Sequence, residues 1–162
     1  MFREMRRTKQ LLSGEEAAEV LNRCSTGILG VNGDDGYPYT VPINYFYKDG
    51  RIFLHCAKDG HKTDSIKRND KVTFCIVEED KVIQKTFSTH YRSVEIFGRA
   101  RILTEDSEKR AALEDLVQKY SPDYIKEGQQ EIEDGFNRVC IVEIKIEHMT
   151  GKVSLDIANS RQ

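Results

Sequence analysis

An antiparallel β-barrel carrying helices on its outside is the fold class this chain predicts, and three observations lead there. Strand-like runs follow one another at hairpin spacing over residues 26–56. Apolar and polar residues alternate again over residues 71–77, 94–103 and 139–148. Helical spacing is confined to the segments before, between and after these runs, which places helices around a mainly β core.

Each element has its own local signature. Ser13-Gly14-Glu15-Glu16 has capping-box spacing, and Ala17, Val20, Leu21 and Cys24 follow at helical intervals, so a helix is expected over residues 14–23. Residues 26–31 are a compact apolar run closed by Asn32-Gly33-Asp34-Asp35-Gly36, a dense turn signal. Residues 39–47 are rich in β-branched and aromatic side chains, and residues 51–56 resume after the Asp49-Gly50 turn, giving a three-stranded meander. A helix is expected over residues 60–69, with Asp64 and Ser65 in its early turns and Ile66 facing inward.

Val72, Phe74 and Ile76 alternate in the next strand, residues 71–77, while residues 79–92 read as part strand and part loop. Over residues 94–103, Val94, Ile96, Gly98, Ala100 and Ile102 share one face, with Glu95, Arg99 and Arg101 opposite. Residues 107–120 carry Leu113, Leu116, Val117 and Tyr120 at helical spacing, and Ser121-Pro122 ends that helix. A polar stretch of weak helical tendency leads to the last strand, residues 139–148, where Val142, Ile144 and Ile146 alternate with Glu143, Lys145 and Glu147. The tail from Gly151 reads as irregular.

A length of 162 residues suits one domain, residues 1–162, with a proper core. The net charge of -2 exerts no global pull toward nucleic acid or an acidic membrane, and no apolar run is long enough to span a bilayer. Residues 1–7 lack the apolar core of a secretory signal. Cys24, Cys56, Cys75 and Cys140 form no Cys-x-x-Cys pair and read as thiols in a reducing cytoplasm.

Four segments are candidates for chemistry. Ala57-Lys58-Asp59-Gly60-His61-Lys62 joins a strand end to a helix start, where free backbone N–H groups, the helix dipole and Lys62 suit a phosphate. Taken alone, this spacing reads better as an exposed turn with a solvated lysine. Both G-x-x-x-x-G-K-[ST] and G-x-G-x-x-G are absent. In Tyr39-Thr40-Val41-Pro42-Ile43-Asn44-Tyr45, Pro42 marks an edge or a bulge with backbone groups open to a ligand, and Asn44 faces either that ligand or solvent. Histidines at 55, 61, 90 and 148 lack metal-ligand spacing, so no metal is expected, and no G-x-S-x-G elbow supports a serine triad. His55 reads either as a pocket residue or as a satisfied, half-buried imidazole. Gly98 and Ala100 leave room for a second backbone or a flat ligand, close packing being the commoner cause.

In order, these segments resemble the flavin-binding split-barrel superfamily related to pyridoxamine 5′-phosphate oxidase, within it the branch named for nitroimidazole resistance proteins. The resemblance is carried by residues 36–45, by Ile52-Phe53-Leu54-His55-Cys56-Ala57 with Gly60-His61-Lys62, and by Tyr91-Arg92-Ser93-Val94 with Gly98-Arg99-Ala100; a weaker echo is residues 148–152. It covers residues 5–153 and implies a six-stranded antiparallel split barrel that dimerises, with one FMN in each of two interface clefts. FAD is the other cofactor candidate, and a deazaflavin is not distinguished.

By position, the resemblance implies that Val41, Pro42, Ile43, Asn44 and Tyr45 run beside the isoalloxazine ring. His55, Cys56 and Ala57 would wall the flavin, and His61 and Lys62 would hold its phosphate with Tyr91 or Ser93. A flat ring would account for Gly98 and Ala100. His61 stands where the family favours Arg or Lys, so phosphate affinity is expected to be weaker or pH-dependent.

The implied activity is an FMN-dependent oxidoreductase reducing a small acceptor such as a nitroaromatic with NAD(P)H. No catalytic residue is assigned, because the flavin supplies the hydride chemistry. The alternatives are a non-enzymatic flavin-binding protein and a haem-binding relative with His55, His61 or His148 as axial ligand. True pyridoxamine 5′-phosphate oxidase is disfavoured, since the tail, residues 154–162, lacks an Arg-Leu-x-Pro-Arg-like end.

Overall fold

Six antiparallel strands close into a barrel in the computed structural model, which describes residues 1–160. The strands are β1 (Thr26–Asn32), β2 (Pro38–Lys48), β3 (Arg51–Ala57), β4 (Lys71–Ile83), β5 (Ser88–Ile102) and β6 (Val139–Val153). Around the ring they run β1-β2-β3-β6-β5-β4, so β6 inserts between β3 and β5 and closes the meander. The helices are α1 (Gly14–Arg23), α2 (His61–Arg68), α3 (Asp106–Tyr120), α4 (Ile125–Gly135) and α5 (Leu155–Asn159).

The capping box expected at Ser13 is complete. Ser13 Oγ accepts from the Glu16 N–H at 3.2 Å, and Glu16 Oε2 accepts from the Ser13 N–H at 2.7 Å. Helix α1 buries Ala17, Val20 and Leu21 in the main core, alongside Leu29, Leu54, Phe74, Ile96 and Ile144 from the strands. A second apolar layer lies outside the barrel, where Leu113 and Leu116 of α3 and Ile132 of α4 pack with Phe46, Leu103 and Ile141. Arg101 fastens α3 to the sheet. Its guanidinium donates to both carboxylate oxygens of Glu108 at 2.8 and 3.0 Å, and its Nε donates to buried Glu143 at 2.9 Å.

Three stretches differ from the sequence expectation. Residues 79–92 form a long β4–β5 hairpin, with a register shift between Val77 and Glu79 and a turn at Gln84–Thr86 that leaves Phe87 at φ 51°. Val77, Val82 and Phe87 on this hairpin are exposed, so it lacks the buried face whose alternation marks a strand. Strand β6 continues past His148 to Val153, and α5 follows, so the chain from Gly151 to Asn159 is regular rather than irregular. Gln10 pins this end, its Nε2 donating to the Val153 carbonyl at 2.7 Å. Residues 161 and 162 of the expected tail lie outside the described residues.

The third difference is Gly98. Pairing shifts from Phe97↔His148 to Gly98↔Ile146, so β6 carries an extra residue there. A Cβ on Gly98 would lie 2.5 Å from the Lys145 carbonyl oxygen and 2.8 Å from Ile144 Cγ2. Ala100 belongs to the barrel core. Strand β6 occupies the place beside Gly98, so close backbone packing accounts for the glycine without a flat ring.

Candidate functional site

The barrel has an open seam. Strand β2 pairs with β3 only from Tyr45↔Leu54 to Lys48↔Arg51. Below that point, residues 38–44 pair with β1 alone, and residues 55–57 pair with β6 alone. The two strands part between Asn44 and His55, so each presents an unpaired backbone edge. Pro42 stands on one of these edges, as the sequence suggested, and it does so without a bulge, because the β1–β2 register runs unbroken from Thr26↔Asn44 to Asn32↔Pro38.

The gap is a cleft of about 590 Å³ lined by Pro42, Ile43, His55, Cys56, Ala57 and Lys62, with Glu131, Gly135 and Arg138 from the α4 side. A neighbouring cavity of about 750 Å³ shares His55, Glu131, Gly135 and Val139 with it and extends over Leu116, Val117, Tyr120 and Tyr124. His55 is exposed and borders both spaces, which makes it a pocket residue.

At the end of β3 the chain turns through Gly60 at φ 133°, a conformation glycine adopts without strain, and enters α2. Asp64 N–H closes the first helical turn onto the Gly60 carbonyl at 3.0 Å, and the Thr63 hydroxyl bonds the same oxygen at 2.9 Å. The N–H groups at the start of α2 thus face outward from the helix end, beside Lys62 on the cleft wall. His61 is placed differently. Its ring packs against Tyr39 in a tilted arrangement, centroids 4.1 Å apart, and its Nε2 lies 3.5 Å from Asp34 Oδ2, so the imidazole is turned toward the β1–β2 connection.

The other residues singled out by sequence divide into two groups. Val41 and Ile43 both pack against the core, and of the two only Ile43 lines the cleft. Asn44 spends its amide N–H groups on the Ser25 carbonyl at 3.0 Å and the Thr26 hydroxyl at 3.2 Å. Tyr45 is fully buried; its hydroxyl donates to the Leu21 carbonyl at 2.8 Å, so only its backbone reaches the seam. Tyr91 and Ser93 are elsewhere in this chain: Tyr91 accepts from Gln10 at 2.9 Å, and Ser93 pairs with Lys152. Neither lines the two cavities that His55 borders.

Sequence reasoning missed the α3–α4 wall. Tyr120 read as a core position of its helix. Its hydroxyl instead donates to the Ser25 and Tyr45 carbonyls at 2.7 and 2.5 Å, capping β2 where the seam opens. Lys119 adds bonds to the Cys24 and Tyr45 carbonyls at 2.9 and 3.0 Å, and burial pushes its ammonium below its ordinary pKa. The available signal was two tyrosines flanking Ser121-Pro122, at a helix junction where side chains converge. Among the described residues, no three His, Cys, Asp or Glu side chains converge as a metal site, and no helix is long and apolar enough to cross a membrane.

Residues 13–153 match the family model described as pyridoxamine 5′-phosphate oxidase. A candidate 5-nitroimidazole antibiotic resistance protein from Bacteroides thetaiotaomicron is similar in structure, with TM-score 0.71 and 22% identity over 88% of this chain and 86% of that one. An FAD-binding protein from Mesorhizobium loti aligns with TM-score 0.63 and 22% identity, covering 90% of this chain and 97% of that one. The FAD and heme binding protein from Mycobacterium smegmatis gives TM-score 0.77 and 18% identity, covering 94% and 80%. No curated protein matches the sequence. With the family model spanning the barrel from the α1 cap to the last residue of β6, the chain belongs to the pyridoxamine 5′-phosphate oxidase family.

Proposed function

We propose that the chain binds a flavin in the β2–β3 seam and acts as a flavin-dependent oxidoreductase on a small acceptor such as a nitroaromatic, with NAD(P)H as electron donor. FMN is the first candidate and FAD the second. The observation that carries this reading is the parting of β2 from β3 directly beside the start of α2. A flat polar ring needs two walls with unpaired backbone groups, and its phosphate needs N–H donors and a cation; the seam, the helix start and Lys62 meet both needs.

When bound, the flavin would supply hydride chemistry; the chain's own part is to hold, orient and shield it. Pro42 and Ile43 form one wall, and His55, Cys56 and Ala57 the other. The adjoining cavity under Tyr120 and Tyr124 leaves space for an acceptor, or for the adenosine half of FAD. Family membership supports the flavin reading, as do two proteins similar in fold, one an FAD-binding protein and the other an FAD and heme binding protein.

The protein acts as a cytoplasmic homodimer in this reading, with Tyr91 and Ser93 of each copy completing the cleft of the other. The exposed Val77, Val82 and Phe87 of the β4–β5 hairpin offer apolar surface for that contact.

The test is the absorption spectrum of purified protein and mass spectrometry of the released ligand. A flavin spectrum with NADH- or NADPH-dependent reduction of a nitroaromatic is the expected result. Protein that stays colourless after incubation with FMN overturns the proposal. Tight FMN binding without turnover selects a non-enzymatic flavin-binding protein. A Soret band selects a haem protein, with His55 as the histidine placed to ligate.

A further inference from the structure

Cys56 and Cys140 face each other directly across β3 and β6. Both point inward: Cys140 belongs to the buried core, Cys56 packs against it, and Cys56 also forms part of the cleft wall. Residues directly opposite on antiparallel strands hold their Cβ atoms about 4.5–5.5 Å apart, and a disulfide needs about 3.5–4.5 Å, so closure asks the strands for a movement of about 1 Å. We propose that Cys56 and Cys140 are a redox-active dithiol, converted to a cross-strand disulfide by a low-molecular-weight disulfide that reaches Cys56 through the cleft.

The surroundings divide the roles between the two sulfurs. The neighbouring Cys56, with the charges of Lys109, Lys67 and Lys58, holds the Cys140 thiol below its ordinary range. The neighbouring Cys140, together with burial, pushes Cys56 upward. The enclosed sulfur is therefore the more readily deprotonated of the two, and the sulfur on the cleft holds its proton more firmly. In the first step Cys140 takes the proton from Cys56, and the Cys56 thiolate attacks one sulfur of the small disulfide. A mixed disulfide forms on Cys56 and one small thiolate leaves.

In the second step Cys140 passes that proton to the first small thiolate and attacks Cys56 Sγ, releasing the second small thiolate. One protein thiol and one protein thiolate are oxidised to the disulfide, and the small disulfide is reduced to one thiol and one thiolate, so protons and charge balance. The other two cysteines lack this arrangement: Cys75 lies opposite Ile28 and Glu95, and Cys24 ends α1. A bond between Cys56 and Cys140 would tie β3 to β6 beside His55 and Ala57, which fixes the wall of the seam in one position. The inference rests on strand register and on Cys56 lining the open cleft, which a bound flavin would shield, so the experiment uses flavin-free protein.

The experiment is treatment of the purified full chain with 2-hydroxyethyl disulfide, followed by thiol titration and peptide mapping. The expected result is a fall from four free thiols to two, with residues 52–58 recovered joined to residues 139–145. Cys140→Ala should stop at a stable adduct on Cys56, and Cys56→Ala should leave Cys140 unmodified. Melting curves of both variants verify that they fold, and mapping of the natural sequence decides the matter if either does not. Four titratable thiols after treatment, a lasting adduct on Cys56 in the natural sequence, or cross-links to Cys24 or Cys75 would each overturn the proposal.

Discussion

Replacing Gly98 with alanine separates the two reasons a glycine can stand in a strand beside a cleft. The added Cβ would meet the Lys145 carbonyl oxygen at 2.5 Å and Ile144 Cγ2 at 2.8 Å. Ordinary carbon contacts begin near 3.4 Å, so β6 must retreat by several tenths of an ångström at its extra residue. Backbone lies on the far side of that contact, and backbone in a barrel cannot swing aside as a side chain does. Overpacking of this kind costs about 1–3 kcal/mol. For a chain of this size, a loss of about 2 kcal/mol lowers Tm by about 4–8 °C.

The assay is thermal or urea unfolding of the natural sequence and Gly98→Ala, with FMN titration of each below its transition. Gly14→Ala serves as control, because nothing lies within 4 Å of a Cβ there. The expected outcome for Gly98→Ala is lowered stability with flavin affinity unchanged in the folded fraction. Unchanged Tm with lost flavin binding would refute the reasoning and return Gly98 to the cofactor.

Other perturbations test neighbouring claims. Lys62→Ala should weaken FMN binding by about 10–100-fold, the range for losing a charge-assisted hydrogen bond of about 1.5–3 kcal/mol, while the flavin-free protein keeps its Tm; equilibrium titration by flavin fluorescence measures it. Ser13→Ala removes half of the capping box and should cost about 1 kcal/mol, seen as a small shift in urea midpoint at unchanged slope. Burial pushes the Tyr45 phenol well above its ordinary value. The unfolded chain loses that proton near pH 10 while the folded chain keeps it, so the unfolded state binds fewer protons and stability falls as pH rises above about 10. Tyr45→Phe should flatten that alkaline limb in unfolding curves collected across the pH range, and an equally steep limb would contradict the burial argument.

Much of the barrel was legible along the chain because its strands bury one face. Val72, Phe74, Ile76, Val94 and Ile96 lie in the core where period-two alternation placed them. The capping box at Ser13 and the glycine turn into α2 were equally readable, since each depends on residues within one turn. The β4–β5 hairpin escaped because exposed Val82 and Phe87 give it no buried face to betray it. The end of β6 escaped because its partners, Arg92 and Ser93 on β5 and Leu11 near the N-terminus, lie far away in sequence.

The sequence by itself determined the barrel class, the turn that leads into α2, and the presence of Lys62 at its start, all consequences of local spacing and side-chain type. Tertiary structure alone decided what each of these residues faces. It turned the His61 ring onto Tyr39 and Asp34, sealed Gly98 under Lys145 of β6, buried the Tyr45 side chain, and set Cys56 opposite Cys140. The physical reason is register. Where β2 stops pairing with β3, and which residue of β6 meets each residue of β3 and β5, follows from closing six strands into one ring, a condition no short stretch of chain contains.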